Sequence, residues 1–212
     1  MIPRVISIWI LLSSIVVAPL AAAQKVERVG APSGVSGALQ QAVENKGYRV
    51  RLDGGWTAEL WFARRLKSET KDVAGALYPE LTNGEFVGVV TFSQPMTDYR
   101  GQNIPAGTYT LRYQMLPQDG NHLGVAPNPD FLLVSPAAAD SRPEQIYPYR
   151  KLVALSARSA GGNHPAVMAM ESAADEVNVA KTDHGTVVFS MAVPVSSGAE
   201  KFGIVIKGSA AQ

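Results

Sequence analysis

Ile104-Pro105-Ala106-Gly107-Thr108-Tyr109-Thr110-Leu111-Arg112-Tyr113-Gln114-Met115 is the stretch on which the reading of this chain turns. From Thr108 onward, Tyr109, Leu111, Tyr113 and Met115 alternate with Thr110, Arg112 and Gln114. A period of two places the first set inward and the second outward on a β-strand. Pro105 fixes a turn ahead of the strand, and Gly107 takes a backbone angle that other residues resist. The Tyr109 ring is expected to be buried, with its hydroxyl tied back to the loop. Glycines that cradle phosphate precede a helix, and these precede a strand, so their role reads as structural.

Working outward, Phe86 to Phe92 is apolar on both parities apart from Gly88 and Thr91, which predicts a central strand covered on both faces. Tyr48, Val50 and Leu52 alternate with Arg49, Arg51 and Asp53 up to an Asp53-Gly54-Gly55 turn, and Trp56, Ala58, Leu60 and Phe62 return as the second strand of a hairpin. Before it, Ser36 can cap a short helix whose apolar face is Leu39, Ala42 and Val43, with Gly47 as its left-handed terminator. Residues 64–72 are charged and without period, and read as an exposed connection. Further strands are expected at Phe131 to Val134, Leu152 to Leu155, Val167 to Met170, Val177 to Ala180, Thr186 to Val193 and Phe202 to Lys207. Short strands separated by turn residues, one short N-terminal helix and no β-α-β alternation predict a mainly β chain, an antiparallel β-sandwich of about eight to ten strands.

The first 23 residues read as a signal peptide: a positive start at Arg4, an apolar run to Val17, and Ala21-Ala22-Ala23 before Gln24 as the cleavage site. No cysteine stands there to take a lipid. Residues 24–35, with Gly30, Pro32 and Gly34, read as an extended arm, and residues 36–212 as a single β-sandwich domain. The expected setting is periplasmic or extracellular, with no membrane span in the mature chain.

The 212 residues hold 19 Lys plus Arg, 18 Asp plus Glu and no cysteine. Removing the leader takes one arginine with it, so the mature chain carries no formal net charge. That balance excludes a nucleic-acid binder relying on a large positive field, and the missing cysteines exclude both disulfide staples and zinc-thiolate sites.

Gly101-Gln102-Asn103-Ile104-Pro105-Ala106-Gly107-Thr108-Tyr109-Thr110-Leu111 resembles the turn-strand element of secreted bacterial β-sandwich domains. These include prealbumin-like and carboxypeptidase-regulatory-like accessory modules and a group of uncharacterised exported proteins. The similarity covers about residues 77–134. It implies a β fold and a binding or architectural role.

Two loops repeat one motif, Gly120-Asn121-His122 and Gly162-Asn163-His164, and the chain has 3 histidines in all. Brought together with Asp119 or Asp130, they would make a polar pocket for a small molecule, a glycan or a protein segment. As a metal site, His122 and His164 with a carboxylate suit a transition metal, which would make the protein metal-dependent. Equally, Asn and His in glycine-rich turns can serve only to satisfy the loop backbone. No short motif places two metal ligands on one element.

Enzyme signatures fail elsewhere. Gly34-Val35-Ser36-Gly37 lacks the spacing of a nucleophile elbow, and Ser68-Glu69-Thr70-Lys71 lacks its companion motifs. Glu80, Glu85, Asp98, Asp130 and Glu171 stand singly. Tyr147 and Tyr149 beside Arg150 could stack on a sugar or peptide, or could cover one end of the sandwich. The sequence thus favours an exported, non-catalytic binding or envelope-associated accessory protein without cofactor, with the metal-dependent enzyme as its alternative.

Overall fold

The alternation centred on Tyr109 becomes β7 (Gly107–Met115), antiparallel to both its neighbours, β4 (Phe86–Phe92) and β8 (Asp130–Pro136). The computed structural model describes residues 25–69, 71, 73–116, 128–162 and 164–208, and the expected leader lies outside them. On the N-terminal side of β4 follow β3 (Thr57–Phe62), β2 (Gly47–Arg51) and β1 (Lys25–Val29). Beyond β8 come β9 (Ala166–Glu171), β12 (Gly198–Lys207), β11 (Val187–Val195) and β10 (Asn178–Lys181). These ten strands form one antiparallel sheet, while β5 (Met96–Thr97) and β6 (Asn103–Ile104) form a separate ribbon.

The mainly β, antiparallel expectation is met, with more strands than foreseen. The pairing runs without a break through all ten strands, and the two ends of the sheet, β1 and β10, approach one another. Leu66 adds a parallel bridge to Val195, donating its N–H to Pro194 O at 3.0 Å and accepting from Ser196 N at 2.8 Å. The sheet is therefore nearly barrel-like. Local alternation specifies which face of a strand is covered, and leaves open which strands the sheet will bring together.

Leu60, Val90, Leu111, Leu132, Met168, Ile204 and Phe189, one from each of seven strands, are wholly buried and fill the interior. The outer face is covered in part. α2 (Tyr149–Ala157) lies on β8 and β9, where Leu152 and Leu155 pack with Phe131, Leu133 and Tyr147. Leu152, Leu155 and Ser156 are its buried residues, the i, i+3, i+4 spacing of one helical face. The strand expected at Leu152 to Leu155 is thus a helix, because four apolar-leaning residues fit either period.

Other departures have similar causes. Within the arm, Lys25–Val29 is an edge strand. α1 (Gly37–Ala42) forms where expected and Ser36 Oγ accepts from Leu39 N at 3.3 Å, but Gly47 does not terminate it. Gly47 opens β2, under the indole of Trp61. Within residues 64–72, Leu66 is buried rather than exposed. Tyr109 does bury its ring and donates its hydroxyl to Pro105 O at 2.8 Å. Arg112 and Gln114 face outward as expected and are nevertheless buried, Arg112 beneath the segment leading into α2. No helix of the described residues is long and apolar enough to cross a membrane.

Candidate functional site

Of the sequence candidates, Asp119, Asn121, His122 and Asn163 lie outside the described residues. His164 is exposed in the link between α2 and β9. Asp130 opens β8 and is fully buried, with three donors on its carboxylate: Leu77 N at 2.7 Å, Tyr78 N at 3.1 Å and Tyr113 Oη at 2.7 Å. Among the described residues no three His, Asp or Glu side chains are grouped so as to hold a metal.

Around Asp130 the chain ties its own loop to the barrel. Tyr78 Oη donates to Glu171 O at 2.7 Å and accepts from Gly203 N at 3.0 Å, linking the Leu77–Tyr78 segment to β9 and β12. Burial holds the Tyr78 phenol up at about 12, and pushes the Tyr113 phenol upward too, with the Asp130 carboxylate adding to the effect. Both hydroxyls stay protonated at neutral pH and act as donors. Carboxylate and phenols are committed to backbone and to each other, which makes this centre a clasp.

Concave surface with uncommitted polar groups lies at the seam, where β1 faces β11. There a groove of about 500 Å³ is lined by Arg28, Glu44, Asn45, Lys46, Tyr48, Phe62, Ala192 and Pro194. A second hollow of about 470 Å³ adjoins it through Arg28 and Tyr48 and reaches the exposed Val177. Tyr48 projects from β2 to the inside, with its ring edge-on to Phe62 at 6.5 Å and to Phe189 of β11 at 5.3 Å. The groove is therefore floored by the rings of Tyr48 and Phe62, with Phe189 packed against Tyr48 and wholly buried. Arg28 of β1 reaches over that floor, its guanidinium carbon 4.1 Å from the Tyr48 centroid.

Three features leave this groove receptive. Among the described residues, neither Arg28 nor Lys46 has an ion pair, and the Arg28 guanidinium donates no hydrogen bond. The neighbouring Glu27 points to the opposite face of β1, where Arg51 and Lys25 hold its carboxyl below the usual range. Finally, β10 pairs with β11 only from Val187 to Ser190, and Leu66 takes up pairing at Pro194 and Ser196. Backbone groups alternate sides along a strand, so the N–H and C=O of Ala192 point into the gap between those two partners. Pro194, with no N–H to leave unpaired, suits that open edge.

A smaller hollow of about 270 Å³ lies beside Glu85, with Arg65, Lys67 and Ile146 on its wall. One Glu85 oxygen accepts from Lys67 N at 2.8 Å, the other is buried without a partner, and burial pushes the carboxyl upward. Tyr147, offered by the sequence for stacking on a ligand, is buried between Arg112 and Lys151, 4.4 and 3.9 Å from its ring centroid. Sequence reasoning missed the seam because Arg28 stood in the arm and Tyr48 read as one more inward strand residue. The signal available was Val26 and Arg28 at the inward parity of a strand, an arginine where an apolar residue belongs.

No protein-family model matches the chain, and neither does any curated protein or solved structure.

Proposed function

We propose that this chain is an exported, non-catalytic binding protein, periplasmic or secreted, which takes its ligand at the barrel seam. The observation that supports it most is Arg28. It is a cation without ion pair or hydrogen bond among the described residues, held over an aromatic floor in a groove of about 500 Å³. The interior of the barrel is occupied by side chains, so a ligand belongs at the surface. The leader supports export, and the resemblance of the Gly101 to Leu111 stretch to secreted accessory domains agrees with a binding role.

The test is a titration of the protein, purified after export and labelled with ¹⁵N, against indole, phenylacetate, choline and maltose as neutral aromatic, anionic, cationic and sugar probes. At least one should shift the amides of Arg28, Tyr48 and Ala192 together and saturably. Shifts clustered elsewhere, or none with any probe, would remove the seam as the binding site.

A further inference from the structure

We infer that the seam selects a carboxylate carried on an apolar body. This rests on the seam being the binding site, and adds the chemistry of what binds there. The floor carries the rings of Tyr48 and Phe62, set edge-on to one another, which suits an apolar group laid against them. Above one edge stands Arg28. A guanidinium lying over a ring keeps its N–H fork free for an acceptor beside the ring, and that fork matches the two oxygens of a carboxylate. Lys46, also lining the groove, adds a second cation, against the single carboxylate of Glu44. The Ala192 N–H and C=O on the opposite wall can hydrogen-bond an extended peptide, so two sources share this chemistry: a free organic acid and the C-terminus of a peptide.

The experiment compares phenylacetate with phenylacetamide, and acetyl-Ala-Val-Phe acid with its amide, by ¹⁵N titration of the whole exported protein. Phenylacetate should bind about tenfold or more tightly than phenylacetamide, roughly the worth of one charge-assisted hydrogen bond. That preference should weaken as salt rises. R28Q should erase it and R28K should restore part of it. E44Q should strengthen acid binding. A peptide acid that outcompetes phenylacetate identifies a peptide C-terminus as the source, and one that binds no more tightly identifies a free acid. The acid-to-amide comparison on the unaltered protein needs no variant to fold. Equal binding of acid and amide at the seam would overturn the carboxylate inference while leaving the seam a binding site. Probes that never perturb the seam would remove both.

Discussion

Arg112 commits its whole guanidinium to the fold. Its five N–H donors go to Asp140 Oδ2 at 2.7 Å, Asp140 Oδ1 at 2.8 Å, Gly84 O at 2.9 Å, Arg142 O at 2.8 Å and Gln145 O at 2.6 Å. Both partners of the ion pair are wholly buried, and Thr110 Oγ1 donates to the same carboxylate at 2.7 Å. Replacing Arg112 by methionine strands Asp140 and three carbonyls away from water, so R112M should cost about 3–5 kcal/mol. Urea denaturation measures it, and an unchanged midpoint would contradict the account. The double variant R112M/D140L should recover only part of the loss, because the carbonyls of Gly84, Arg142 and Gln145 remain without a donor. The sequence placed Arg112 on the outward face correctly. It did not show the cover, because the carbonyls that hold the arginine lie up to 33 residues away along the chain.

At the scale of an element, Gly47 decides how β1 is held. A Cβ there would stand 2.5 Å from Trp61 Nε1 and 2.6 Å from Leu60 O, and the backbone oxygen cannot rotate away. Trp61 Nε1 donates to Gly30 O at 2.6 Å, so the indole that covers Gly47 also fastens the chain leaving β1. G47A should therefore displace the indole and loosen β1, at about 1–3 kcal/mol. The thermal midpoint should fall and tryptophan emission should shift; a variant as stable as the parent would refute this role of Gly47. A glycine following a short helical pattern reads most simply as a helix terminator. Its close approach to Trp61, fourteen residues on, is a property of the β2–β3 pairing. Leu152 to Leu155 carries the same lesson, since a run of four has no period until its packing partners are known.

For the whole molecule, the sheet has two ends and a middle. β4, β7 and β8 are flanked by strands on both sides and almost entirely buried, whereas β1 and β10 each have one partner and exposed residues. Hydrogen exchange should be slowest in β4, β7 and β8, and β1 and β10 should open first. Uniform protection across the sheet would mean that the seam is closed by pairing. Ligand in the groove should slow exchange at β1 and β11 selectively, since it would bridge the two sides of the gap.

The sequence by itself determined the class of structure and the inward set of its central strands. Side-chain alternation is local, and Tyr109, Leu111 and Tyr113 or Leu60 and Phe62 declare their face without reference to any partner. It also marked Asp130, and the tertiary structure turned that candidate ligand residue into a clasp by bringing Leu77, Tyr78 and Tyr113 to its oxygens. Only the tertiary structure decided that ten strands follow one another in a single curling sheet, and so that Tyr48, with Arg28 over its ring, meets Phe189 across a seam. Strand order is fixed by contacts between residues distant in the chain, to which no local pattern is sensitive.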